Sequence, residues 1–190
     1  KGRPSDNPLI VHIADLEDLS EITENVPPET ELLAKHFWPG PLTMIFEKSS
    51  LVPYGTTGGL DTVAVRMPSD LIARKLILAA GGYVSAPSAN TSGRPSPTTA
   101  EHVWEDLNGK IEMIIDGGSV DIGLESTILD MTVSPPMILR PGAITADMLE
   151  EVIGVESTGH EISPLCAESK ADDRRRKPQG GSVCHPAACL

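Results

Sequence analysis

Apolar positions along the chain switch between short continuous runs and a helical three-to-four spacing, and the switches predict its elements. Residues 8–13 (PLIVHI) form an apolar run bounded by polar residues and predict a buried strand. Over residues 15–23, Leu16, Leu19 and Ile22 stand three apart, the spacing of a short acidic helix with one buried face. Pro27-Pro28 interrupts the chain, and residues 30–37 predict a second helix with Leu32, Leu33 and His36 or Phe37 inward. Trp38-Pro39-Gly40-Pro41 reads as a rigid turn, residues 42–46 as a strand, and residues 49–59 as a loop rich in Gly, Thr and Pro.

Residues 62–66 (TVAVR) predict a strand. Ser69 is placed to cap a helix over 70–80, which Gly81-Gly82 ends. Residues 83–86 predict a strand that feeds a long polar loop, 87–97. Thr98-Thr99-Ala100-Glu101 has the capping-box pattern and opens a helix to Leu107. Residues 113–115 predict a strand ending at Asp116-Gly117-Gly118, and residues 126–130 and 137–140 predict two more. Thr145 caps a last helix through Val152, with Asp147 in its first turn. Some strands follow each other with no helix between them, so the expected class is α/β with a mixed rather than purely parallel sheet. No internal repeat is visible. From about Val155 periodicity is lost, and residues 155–190 read as a linker or disordered tail after a domain spanning 1–154. The basic run Arg174-Arg175-Arg176-Lys177 in that tail fits a solvated linker better than an RNA-binding or targeting signal.

Composition narrows the class. The 190 residues are enough for one domain with a sizeable core, and with aromatics at only 3% that core must be aliphatic. No apolar run is long enough to span a bilayer, and the opening segment is charged rather than signal-like, so a cytoplasmic protein is expected. A net charge of -12 argues against broad electrostatic capture of nucleic acid. It also makes the few cations informative, because an acidic protein that binds a polyphosphate must place them locally. All three cysteines, Cys166, Cys184 and Cys189, lie in the tail, so the body has no disulfide framework. Cys184, His185 and Cys189 do not follow a standard zinc spacing, and no metal site is expected.

Four polar segments leave or enter apolar strands. Lys1-Gly2-Arg3 puts two cations on one side of an extended segment, where both can converge on one polyanion. Residues 85–93 (SAPSANTSG) offer small hydroxyl and amide groups and close backbone approach to a ligand. Asp116-Gly117-Gly118 followed by Gly123-Leu124-Glu125-Ser126-Thr127 is a third, and a lone Arg140 leaving an apolar strand before Pro141-Gly142 is a fourth. His12, on the first strand, reads from its surroundings alone as a core histidine.

In order, KGRPSDNPLIVHI, FWPGPLT, TVAVRMP, APSANTSGRPSPT, DGG…GLESTILD and ILRPGAIT resemble the successive signatures of the YrdC-type L-threonylcarbamoyl-AMP synthases, over Lys1 to about Val152. The resemblance implies a YrdC-like twisted open mixed sheet with flanking helices and a large cavity. It implies a nucleotidyltransferase that makes threonylcarbamoyl-AMP and pyrophosphate from L-threonine, bicarbonate and ATP, with Mg²⁺ carried by the nucleotide. The product passes to a threonylcarbamoyl transferase acting on tRNA. Such chemistry relies on positioning and charge stabilisation rather than on a protein nucleophile. It also implies roles. Lys1 and Arg3 match the catalytic pair on the ATP phosphates, and Asn7, Thr62, Ser88, Asn90, Ser96 and Arg140 match further ATP contacts. His12, Arg66, the backbone near Ala86, and Ser126 match the threonine site. Family members have residues before the K-x-R pair, so the reading is of an N-terminally truncated domain lacking its first strand and helix, with one sheet edge unpaired. Three alternatives remain beside the synthase: a double-stranded RNA-binding module, the related domain of hydrogenase-maturation carbamoyltransferases, and an inactive truncated remnant.

Overall fold

The computed structural model describes residues 1–120 and 122–154. The tail expected over 155–190, with its cysteines and basic run, lies outside the described residues. The strands are β1 (Ile10–Ile13), β2 (Thr23–Glu24), β3 (Leu42–Lys48), β4 (Thr62–Arg66), β5 (Tyr83–Ala86), β6 (Thr127–Asp130) and β7 (Met137–Arg140). The helices are α1 (Leu19–Ile22), α2 (Glu29–Phe37), α3 (Tyr54–Thr57), α4 (Leu71–Ala79), α5 (Ala100–Leu107) and α6 (Ala146–Ile153). The seven strands form one mixed sheet in the order β5-β1-β4-β3-β6-β7, with β2 added alongside β3. β1 is parallel to β4 and β3 to β6, and the other pairings are antiparallel. The expected mixed α/β class is therefore the observed one.

Period-two alternation gives the sheet two unlike faces. Val11 and Ile13, Met44 and Phe46, Val63 and Val65, and Leu129 are all buried and belong to one apolar cluster. Leu19 and Ile22 of α1, Leu33 and Ala34 of α2, and Leu149 of α6 join the same cluster, so these three helices cover that face. The opposite face carries Ile10, His12, Thr43, Thr62, Ala64 and Arg66, the alternate positions of the same strands.

Local structure departs from the expected pattern at definable points. The segment 15–23 is split into a single 3-10 turn, Leu16–Asp18, and the one-turn α1; Leu16 is exposed and only Leu19 and Ile22 face the core. In α2 the inward residues are Thr30, Leu33 and Ala34, with Phe37 packed against the core, while Leu32 and His36 face solvent. Positions 30, 33, 34 and 37 form one helical stripe, and Leu32 lies off it. Asp70, rather than Ser69, caps α4: its carboxylate accepts the Ala73 N–H at 2.7 Å. At α5 the N-cap is Thr99, with no side-chain cap bond, and Glu101 is held below the usual carboxylate range by its own backbone N–H and then by the Thr99 hydroxyl. Residues 113–115 form no strand, and Met113 and Ile115 are exposed. β2 begins at the last residue of the helix expected over 15–23, and α3 lies inside the loop expected over 49–59. Thr145 does cap α6, accepting the Met148 N–H at 3.3 Å.

One close approach links the loop before β4 to the segment before β1. Leu9 N–H donates to the Thr56 carbonyl at 2.8 Å. Gly58 follows α3 in the left-handed region, with φ of 63°, and a Cβ there would collide with the backbone carbonyl of Asp6. Only glycine satisfies both conditions. Gly58→Ala should therefore lower the unfolding free energy by about 2–4 kcal/mol, combining left-handed strain with a backbone clash. Chemical denaturation reads this directly, and a loss below about 0.5 kcal/mol, the scatter of ordinary surface changes, would show that the two segments are not locked here.

Candidate active site

The polar face of the sheet collects residues that are far apart in sequence. His12 of β1 is in register with Arg66 of β4 and with Val84 of β5. Extending the β3–β4 register one residue past Met44↔Val65 sets Thr43 beside Arg66. Thr43 is in register with Ile128, and Ile128 with Arg140 of β7. Ser126 stands one same-face step before Ile128, and its Oγ is 2.8 Å from Thr43 Oγ1. His12, Arg66, Thr43, Ser126 and Arg140 thus form a polar row across the sheet. His12 is buried, yet it points away from the apolar core that holds Val11 and Ile13, so it is not the core histidine its surroundings suggest.

Polypeptide groups fix the two guanidinium groups of the row. Arg66 is 9% exposed and donates Nε to the Gly40 carbonyl at 3.1 Å. The Trp38–Pro41 turn that presents this carbonyl is held by Gly40 N–H donating to Met67 O at 2.9 Å and by Trp38 Nε1 donating to Leu42 O at 2.7 Å. Arg140 donates Nε and Nη2 to the Ser126 carbonyl at 3.0 and 2.9 Å, and Nη2 also to Ser126 Oγ at 3.0 Å. Its Nη1 pairs with Glu125 Oε2 at 2.8 Å. The Pro141-Gly142 turn lies so close that a Cβ on Gly142 would meet the Glu125–Thr127 backbone. Arg140 is therefore joined to Ser126, a residue expected on the threonine side, although it was itself expected on the nucleotide side.

A second junction forms beyond the other end of β1. Ala86 is in register with Ile10, so the loop leaving β5 passes the segment entering β1. Lys1 Nζ donates to Ser88 O and Asn90 O, both at 2.6 Å, and to Asn90 Oδ1 at 3.0 Å. Ser92 N–H returns a bond to Lys1 O at 3.0 Å. Arg3 Nη2 donates to Asn7 Oδ1 and to Pro8 O, both at 2.7 Å. An ammonium and a guanidinium beside a hydroxyl- and amide-rich loop suit a polyanion.

The expected residues thus fall into two groups. Lys1, Ser88 and Asn90 meet directly, with Arg3 and Asn7 paired on the same entering segment. His12, Arg66, Ser126 and Arg140 share the row. Thr62 stands at the start of β4 on the face of Arg66, about 13 Å along the strand from it. Ser96 lies further along the loop after Asn90 and is half-buried. Thr43 was missed, although a polar residue inside the run LTMIF, at the alternate position, is a signal that alternation can read. Glu125 and Asp106 were also missed, and only the fold reveals their partners. A groove of about 610 Å³ along α5, lined by Trp104, Asn108, Ile111 and Met113 among others, takes in none of the expected residues.

The chain is similar to known proteins over this whole region. A family model for Sua5, YciO and YrdC proteins, described as "Telomere recombination", matches residues 1–142. The threonylcarbamoyl-AMP synthase of Pyrococcus abyssi is 58% identical over 154 residues, 81% of this chain and 45% of that protein. The threonylcarbamoyl-AMP synthase of Bacillus subtilis is 48% identical over 179 residues, 94% of this chain and 49% of that protein. The crystal structure of P. abyssi Sua5 complexed with L-threonine superposes with a TM-score of 0.80 at 57% identity, covering 83% of this chain and 46% of that one. The chain spans about half the length of these relatives. A family model that matches residues 1–142 covers well over half of the chain, which therefore belongs to the Sua5/YciO/YrdC family.

Proposed function

We propose that residues 1–154 are the catalytic domain of an L-threonylcarbamoyladenylate synthase, which forms threonylcarbamoyl-AMP and pyrophosphate from L-threonine, bicarbonate and ATP. One observation carries the reading: His12, Arg66, Thr43 and Ser126 share a single face of the sheet, in a chain 57% identical to a Sua5 crystallised with L-threonine. The row offers a cation for an amino-acid carboxylate in Arg66, and hydroxyl partners in Thr43 and Ser126. The Lys1–Asn90 junction offers charge for a triphosphate, with Arg3 on the same segment.

In this reading the threonine amine combines with bicarbonate, water leaves, and a carbamate forms. A carbamate oxygen then attacks the α-phosphorus of ATP, the bond to the β-phosphate bridging oxygen breaks, and pyrophosphate carries off the electron pair. The residues on hand bind and orient; none is required as a nucleophile. Lys1 and Arg3 hold the phosphates and offset the charge that builds on the leaving group. Arg66 and Ser126 fix the threonine, with the backbone at Ala86 along the edge of its site. Asn7, Thr62, Ser88, Asn90, Ser96 and Arg140 complete the nucleotide contacts. The Lys1 ammonium and the Arg3 guanidinium suit phosphate oxygens rather than a metal ion, so Mg²⁺ fits as a companion of the nucleotide. No helix among the described residues is long and apolar enough to cross a membrane. The product is a labile mixed anhydride, which fits delivery in the cytoplasm to a transferase acting on tRNA.

Pyrophosphate release by the purified chain should require ATP, L-threonine and bicarbonate together, and a coupled phosphate assay measures it. Release that is indifferent to threonine would sink the threonine site, and no release with all three present would sink the synthase.

The two groups of residues should also separate kinetically. Asn90→Ala removes the Oδ1 that accepts from Lys1 and should raise the KM for ATP about tenfold while leaving the KM for threonine near its original value. Arg66→Lys keeps the charge but loses the fork, and should do the reverse. If both substitutions moved both constants equally, the division between the sheet row and the Lys1 junction would be wrong.

A further inference from the structure

We infer that Asp106 is a positioning residue for the nucleotide side of the site, an inference that rests on the reading of Lys1 and Asn90 as phosphate-binding groups. Asp106 lies near the C-terminal end of α5, where the helix dipole disfavours a negative charge. It is nonetheless buried, with its side chain 7% exposed. A buried carboxylate at the wrong end of a helix persists only with specific partners. The carboxylate meets two of them on the loop after β5, while the Asp106 carbonyl also accepts the Lys110 ammonium at 2.9 Å. Thr91 N–H donates to Asp106 Oδ2 at 2.9 Å, and the Arg94 guanidinium pairs with Oδ1. Thr91 Oγ1 donates to the Asp106 carbonyl at 3.4 Å.

The residue held by this staple is Asn90. Its Nδ2 donates to Arg94 O at 2.6 Å and to Thr91 O at 3.1 Å, which turns Oδ1 the other way. That Oδ1, with the Asn90 carbonyl, is what receives the Lys1 ammonium. A chain of direct contacts thus runs from Asp106 through Thr91 and Arg94 to Asn90 and on to Lys1. Arg94 itself is 57% exposed along its side chain, so the pair lies at the surface on one side and against the loop on the other. Within the α5–loop contact, the Asp106 carboxylate fixes the Thr91–Arg94 turn, and α5 serves as the anchor. Asp106 does not touch the substrate in this scheme. It determines whether Asn90 and Lys1 are already in place when a phosphate arrives.

The test is Asp106→Ala, with Asp106→Asn as the conservative partner, in the full chain. Asn keeps an acceptor for the Thr91 N–H and gives up the charge on Arg94. Two readouts are used: amide hydrogen exchange of residues 88–94, and steady-state constants for ATP and L-threonine. In Asp106→Ala, the 88–94 amides should exchange at least about tenfold faster, while β1 and β4 amides keep their protection. The KM for ATP should rise about tenfold, with the KM for threonine and kcat near their original values, and Asp106→Asn should recover part of both effects. Unchanged loop exchange in a folded Asp106→Ala protein overturns the inference, as does a loss that falls on kcat and both KM values alike. If Asp106→Ala does not fold, Arg94→Gln cuts the same staple from its exposed end. Loop exchange about threefold faster supports the staple, and unchanged exchange overturns it. Should the unaltered chain fail to bind ATP, the synthase reading falls, and loop exchange still decides the staple.

Discussion

Burial of one face of the sheet holds the polar row of the other face in place. Val11, Ile13, Met44, Phe46, Val63, Val65 and Leu129 are almost wholly removed from water, and each such side chain contributes about 1.5–3 kcal/mol relative to exposure. Because side chains alternate, that burial also fixes where the residues between them point. A slip of one residue in β1 or β4 would carry His12 or Arg66 into the apolar cluster and lift Val11 or Val65 out of it. An unpartnered guanidinium in such a place costs far more than the fold can supply. The polar row is therefore specified by the hydrophobic residues behind it, and its geometry is as firm as the core.

The second constraint is charge. The chain is strongly acidic, at -12, so any anion site has to be assembled against the general field. Lys1, Arg3, Arg66 and Arg140 each donate to a main-chain carbonyl: Ser88 and Asn90, Pro8, Gly40, and Ser126 respectively. A carbonyl orients a cation without cancelling its charge, whereas a carboxylate does both. Arg94 shows the other mode, paired with Asp106, while Arg74 has both, donating to the Ala14 carbonyl at 3.0 Å beside Asp15. Arg140 combines the modes, since Glu125 shares it with Ser126. Glu125 is partly exposed, and a ligand anion approaching Arg140 competes with a carboxylate that water can readily take back.

What sequence revealed follows from the range of the interaction concerned. TVAVR, YVSA and MILR appear as strands with the expected ends, because apolar runs between turn residues are local signals. Residues 113–115 carry the same kind of signal, yet none of the strands among the described residues pairs with them, so tertiary context overrides propensity. The shift from Ser69 to Asp70 at the head of α4 is a one-residue boundary that either side chain could have capped. His12 and Arg66 were legible as site residues only through the family's motif order, because alternation alone shows that they oppose the core but not what they face. Thr43 was legible from alternation and was passed over. Asp106 was not legible in any local pattern, because its partners lie 12 and 15 residues away on a loop with no period of its own.

That last case bears on how a flexible-looking loop can hold a precise site. Residues 87–97 are rich in small polar residues, which order weakly on their own because each fixed backbone position costs about 1–2 kcal/mol of entropy. A strand at its start and a helix at its end limit only its termini. Ordering the middle needs contacts that act across the loop, and the structure supplies them from two sides. Lys1 draws in Ser88 and Asn90, and Ser92 bonds back to Lys1. Asp106 draws in Thr91 and Arg94 from the other side. Asn90 lies between these anchors and is itself buried at 6% exposure, the most enclosed polar residue of the loop. Its amide is satisfied by the loop and its oxygens by Lys1, so it can stay buried only while both anchors hold. A residue so placed couples the helix to the entering segment, and the cost of unsatisfied buried groups keeps the loop in one conformation before a ligand is bound.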